Sequence, residues 1–90
     1  HYLILLDETG KLHTSPQWAQ QFQQLMNQGT KTIVLLIGGA FGVSENIKAQ
    51  AKQTWSLSKL VFPHQLVRLM VSEQVYRAFS ILNNSPYHHS

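Results

Sequence analysis

Apolar residues are grouped along the chain in two ways, as short unbroken runs and as stripes spaced three and four apart. The run "YLILLD", residues 2–7, is nearly uniform and stops at "DETGK", which predicts a strand covered on both faces that ends in a turn. Ser15 before Pro16 predicts a helix start, with Ser15 as the N-cap and proline in the first helical position. Trp18, Phe22, Leu25 and Met26 then recur at helical spacing until Gly29 stops the helix. The six glutamines between Gln17 and Gln28 fall mostly off that stripe and predict a solvated face. "KTIVLLIGG", 31–39, is continuous and rich in β-branched residues, so a second buried strand is expected to run into a glycine turn.

Ser44 predicts the cap of a short helix from Glu45 to about Gln53, with Glu45 in the first turn where the helix dipole favours an anion. "WSLSKLVFP" alternates enough for a third strand ended by Pro63. From His64 to Asn83 no breaker occurs, so one long final helix of roughly five turns is expected. At about 100° per residue, Val67, Val71, Val75, Ala78 and Leu82 share the face of that helix that meets the core. The order β-α-β-α-β-α implies a parallel sheet with right-handed crossovers, and ligands in such sheets sit beyond the carboxyl ends of the strands. Those ends are expected at Leu6-Asp7, Gly38-Gly39 and Phe62-Pro63.

Composition narrows the field of functions. With 90 residues and 43% apolar content the chain fits one domain, residues 1–90. Seven Lys and Arg against four Asp and Glu give a net charge of +3, a mild bias toward anionic partners. Only 12% of residues are charged, so any apolar surface left over is a candidate interface. The absence of cysteine excludes a thiol nucleophile, a thiolate metal site and a disulfide framework, and suits a reducing cytoplasm. No apolar run approaches the length of a membrane span, and no His-x-x-x-His or carboxylate cluster supports a metal site, so neither membrane nor metal is expected.

Three constellations could carry chemistry. "LLIGGAFG" places Gly38, Gly39 and Gly42 between a strand and a helix, where missing side chains let a ligand approach the backbone. It is not G-x-G-x-x-G and lacks a P-loop lysine, so the pattern alone favours tight-turn glycines with no ligand over a nucleotide loop. Glu73 and Arg77, an i,i+4 pair, share a stripe with Leu66, Met70 and Ile81. They fit either a surface ion pair worth about 0–1 kcal/mol or a partly buried pair at an interface or site. His64 stands at the start of the last helix, beyond the third strand, and fits a structural or a site histidine.

Taken together, LLIGGAFG at 35–42, WSLSKLVFPHQLVRLMVSEQVYRAFSI at 55–81 and NSPYH at 84–88 strongly resemble the ribosomal RNA large-subunit methyltransferase H family of the SPOUT class. The motifs are independent and in order, and the resemblance covers residues 31–89 closely. It implies an α/β fold, a small parallel sheet with flanking helices whose C-terminal part is tied in a trefoil knot. It implies S-adenosylmethionine in that knot, held by Leu6, by Gly38 and Gly39, and by the run Ser58, Lys59, Leu60, Val61, Phe62 and Pro63. It further implies a homodimer that methylates N3 of a pseudouridine in the large-subunit (23S) rRNA of the ribosome.

N3 must lose a proton before it can attack a methyl group, so such a site needs a proton acceptor and a cation. The matching polar positions are His64, Arg68, Glu73, Arg77, Tyr87 and His88. His88 or Glu73 is expected to handle the proton, Arg68 and Arg77 to orient rRNA, and Tyr87 to stack or close the pocket. Full family members carry a further βα unit ahead of the strand at Tyr2, so the chain reads as the family fold truncated at its N-terminus with one sheet edge bare. His89 and Ser90 follow the PYH motif where a basic residue is frequent. A noncatalytic knotted domain that folds and dimerises without modifying rRNA is the alternative reading.

Overall fold

Strand and helix alternate through the computed structural model, which describes residues 1–38 and 44–84. The elements are β1 (Tyr2–Leu12), α1 (Ser15–Asn27), β2 (Ile33–Ile37), α2 (Glu45–Gln50), β3 (Gln53–Ser56) and α3 (His64–Leu82). The three strands form one parallel sheet in the order β2-β1-β3. The expected α/β architecture with flanking helices is therefore present.

β1 is central because its run is apolar on both faces. Ile4, Leu5 and Leu6 are all buried, as a strand with neighbours on both edges and cover on both sides requires. β2 corrects the expectation of a buried strand: it is an edge, its residues are only partly buried, and Val34 lies exposed. With one neighbour instead of two, an edge strand keeps part of its surface in solvent however apolar its sequence.

Four further boundaries differ from the sequence reading. β1 does not end at Asp7. Leu6 pairs with Trp55, the register then shifts, and Lys11 and Leu12 pair with Trp55 and Ser56, so residues 7–10 form an irregularity within one long strand. Gly10 makes that return possible, since a Cβ there would stand 2.6 Å from the backbone carbons of both Thr54 and Trp55. β3 is Gln53–Ser56 alone; residues 57–63 leave the sheet as a loop. α2 stops at Gln50 because Ala51 turns to extended backbone and leads into β3.

The N-cap of α1 is Thr14, one residue earlier than expected. Its hydroxyl accepts from the Gln17 amide at 3.2 Å while the Gln17 side chain accepts from the Thr14 amide at 2.7 Å, a capping box. At the other end Gly29 adopts φ +86, the Gly29 amide donates to Met26 and the Thr30 amide to Leu25, which is a Schellman motif. The buried face of α1 is Trp18, Ala19, Phe22 and Leu25; Met26 lies outside it and is exposed.

α3 packs across α1. Its inward residues are those the 100° spacing gathers: Val71 and Ala78 are buried, and Val67, Val75 and Leu82 pack against the core. Trp55 of β3 is the hub, with ring centroids 5.0 Å from Trp18 and 5.9 Å from Phe22, and Phe22 stacks on Phe79 at 5.6 Å. Aromatic rings in such offset and tilted contacts add to the stabilisation that their buried area supplies. α3 ends where Asn84 takes φ +56 and its amide donates to Ile81, a left-handed asparagine cap.

Candidate functional site

The parallel order brings the carboxyl ends of β1 and β2 and the exit of β3 together. A cavity of about 250 Å³ opens there. Leu6, Asp7 and Glu8 line it from β1, Ile37 and Gly38 from the end of β2, Leu57, Ser58 and Leu60 to Pro63 from the loop after β3, and His64 and Val67 from the first turn of α3. The Gly38 amide donates to the Leu6 carbonyl at 3.0 Å, so the two strand ends are tied to each other at the cavity floor.

The loop from 57 to 63 holds itself by short-range bonds. The Ser56 hydroxyl donates to the Ser58 carbonyl at 2.7 Å, and the Leu60 amide donates to the Ser58 hydroxyl at 3.0 Å. Lys59 does not line the cavity. Its ammonium crosses to the irregular part of β1 and donates to the carbonyls of Glu8 at 3.0 Å and Gly10 at 3.1 Å. Leu60 and Val61 are strongly exposed for apolar residues, 68% and 80%.

A second cavity, about 310 Å³, lies on the other side of Leu57. His13, Thr14, Ser15 and Trp18 line it from the start of α1, Ser56 and Leu57 from the end of β3, and Met70, Glu73 and Gln74 from α3. The Ser15 hydroxyl donates to Gln74 Oε1 at 2.6 Å and fixes α1 against α3. His13 packs on Trp55 with centroids 4.9 Å apart. Burial and the Lys11 ammonium hold the His13 imidazole below its ordinary pKa, against a smaller opposing pull from the Lys11 backbone.

The residues expected at the site separate between these cavities. Leu6, Gly38, Ser58, Leu60, Val61, Phe62, Pro63 and His64 meet at the first, and Glu73 at the second. Glu73 Oε1 accepts from Arg77 at 2.8 Å to Nε and 2.6 Å to the guanidinium terminus, with the two side chains 34% and 25% exposed. Of the two readings of this pair, the partly buried one describes it. Arg68 is exposed and lines neither cavity. Gly39, Gly42, Tyr87 and His88 lie outside the described residues.

Sequence reasoning passed over His13 and Gln74. The one visible signal was "HTSPQ", where Thr14 and Gln17 stand at capping-box spacing and put His13 just ahead of the cap.

The chain is similar throughout to known proteins. A family model described as "Predicted SPOUT methyltransferase" matches residues 1–88. Among curated relatives, the ribosomal RNA large subunit methyltransferase H of Christiangramia forsetii is 48% identical over 88 residues, covering 98% of this chain and 56% of the relative. That of Flavobacterium johnsoniae is 52% identical over 87 residues, 97% and 55%. That of Geotalea daltonii is 46% identical over 87 residues, 97% and 57%. The chain thus spans little more than half the length of the relatives it matches.

Proposed function

The chain belongs to the SPOUT methyltransferase family, and from that premise we propose that it binds S-adenosylmethionine and methylates N3 of a pseudouridine in the 23S rRNA of the large ribosomal subunit. The observation that supports this most is the first cavity. Seven of the nine residues expected to hold the cofactor line it, while Gly39 is undescribed and Lys59 ties down the loop.

The lining suits that cofactor. Ile37, Leu57, Phe62 and Val67 offer apolar walls for a flat heterocycle, and the carboxylates of Asp7 and Glu8 offer acceptors for hydroxyl and cationic groups. Backbone at Leu6, Gly38 and Ser58 to Pro63 would hold the cofactor, as the family resemblance implies, within the trefoil knot. When bound, S-adenosylmethionine supplies an electrophilic methyl group. The chain's part is to bind, to exclude water and to move one proton. Glu73 can accept the N3 proton, and Arg77 holds its carboxylate in place. His88 is the other candidate for the proton and Tyr87 for stacking on the base. His64 stands at the rim of the cofactor cavity, and exposed Arg68 offers a charge to the rRNA backbone.

The proposed working unit is a homodimer in the cytoplasm. Leu66, Leu69 and Tyr76 of α3 form an exposed apolar stripe outside the core, a surface that a second copy would cover. No helix among the described residues is long and apolar enough to cross a membrane.

Calorimetric titration with S-adenosylmethionine, followed by transfer of labelled methyl groups to large subunits lacking the modification, tests the proposal. Saturable binding and transfer are expected. Absence of binding would overturn it, and binding without transfer would favour the noncatalytic domain.

A further inference from the structure

The loop after β3 is held to the rest of the sheet by one side chain, Lys59. Within the loop, Ser56, Ser58 and Leu60 bond to one another. Burial of its apolar side chains does not fix it, because Leu60 and Val61 are exposed. Among the described residues, the hydrogen bonds that join residues 57–62 to β1 or β2 are the two from the Lys59 ammonium, to the carbonyls of Glu8 and Gly10. A lysine carries three donors on a flexible stem, so one ammonium can serve two carbonyls.

Both ends of this tie have a physical reason. Asp7 to Gly10 have no register partner on β2 or β3, so the strand ladder leaves carbonyls there for another donor. Gly10 is nevertheless a fixed point, since it lies so close to the sheet that a Cβ would stand 2.6 Å from backbone carbons of Thr54 and Trp55. Lys59 thus fastens a weakly held loop to a well-held strand. The two segments it joins are walls of the same cavity. Asp7 and Glu8 line it from one segment, Leu57, Ser58 and Leu60 to Pro63 from the other, and Lys59 does not line it.

We propose that Lys59 is a positioning residue, which ties two walls of the cofactor cavity together and so presets the backbone that receives S-adenosylmethionine without touching it. The proposal rests on the reading that this cavity takes S-adenosylmethionine, and it moves Lys59 from the cofactor's contacts to their support. A loop already held in its binding conformation spares the binding step the cost of ordering it. Once released from β1, the loop must be ordered at every binding event, and affinity falls although no contact to the ligand is removed. Because the ammonium acts on the protein backbone, the loss applies to any ligand of this cavity, whatever charged group that ligand carries.

Lys59→Met keeps the length of the stem and removes the donors. In calorimetric titrations, affinity should fall by the same factor, about tenfold, for S-adenosylmethionine and for methylthioadenosine, which has the same nucleoside but no aminocarboxylate group. A loss confined to S-adenosylmethionine would put the ammonium on the cofactor's carboxylate and overturn the proposal, and so would unchanged affinity. Backbone order parameters measured by NMR without cofactor give a readout independent of binding. In Lys59→Met those of Leu60 and Val61 should drop toward the flexible range, below about 0.6, while those of Ile4 to Leu6 stay near the rigid value of about 0.85. No drop at Leu60 and Val61, or a loss of order that extends through Ile4 to Leu6, would refute the tie. If the wild type binds neither compound the cofactor reading falls, and the order parameters still decide whether Lys59 holds the loop.

Discussion

His13 shows how one side chain can couple stability to pH. Its imidazole sits below the ordinary value of 6.5, first because burial penalises the cation and second because the Lys11 ammonium repels it. The unfolded chain therefore binds this proton more readily than the folded one. Stability from this group is fully present above pH 6.5, falls as the pH drops below 6.5 toward the depressed folded value, and levels off beneath that value. Urea unfolding of wild type and His13→Phe across that window should show wild type losing stability faster as the solution is acidified. Parallel slopes would show that the imidazole is as easily protonated folded as unfolded. Little in the sequence marks this histidine, because its burial comes from Trp55, far along the chain, and local pattern carries no information about such partners.

At the scale of elements, the hydrophobic pattern was a good guide to which segments are helix or strand and a poor guide to where they stop. The apolar run of β1 ends at Leu6, yet the strand continues to Leu12, because backbone pairing to Trp55 and Ser56 resumes after four residues with no core-facing apolar side chain. Glycine within "DETGK" has the same composition signal in a turn and in a close strand crossing; only the neighbour across the sheet distinguishes them. Likewise the run from Ser58 to Pro63 is apolar enough for a strand but is a loop that, apart from Lys59, lines a cavity, so its place beside the strand ends was legible and its conformation was not. Gly10→Ala separates the alternatives experimentally. A methyl group placed 2.6 Å from two backbone carbons forces the strands apart, so denaturant unfolding should show a loss of about 1–3 kcal/mol or more. A turn glycine in open space would tolerate the change. The loss should be accompanied by faster amide exchange in residues 57–63, since Lys59 anchors that loop to the Glu8 and Gly10 carbonyls.

For the whole molecule the unresolved demand is on α3, a helix apolar on more than one side. Its inner face, with Val71 and Ala78, is satisfied by α1 and the sheet. Its outer residues are not: Leu69 is 66% and Tyr76 60% exposed, with Leu66 on the same side. Leu60 and Val61 add to the apolar surface just before the helix begins. With only 12% of residues charged, the chain has few charged groups to dilute such a surface, and pairing with a second copy through α3 is the symmetric way to cover it. Leu69→Glu places a charge at the centre of the stripe without touching either cavity. In sedimentation equilibrium wild type should associate to a dimer and Leu69→Glu should remain monomeric. Its affinity for S-adenosylmethionine should persist if the cofactor cavity is built within one chain. Should affinity disappear along with the dimer, the cavity needs the second copy for completion. A wild type that stays monomeric at high concentration would instead remove the dimer from the proposed working unit.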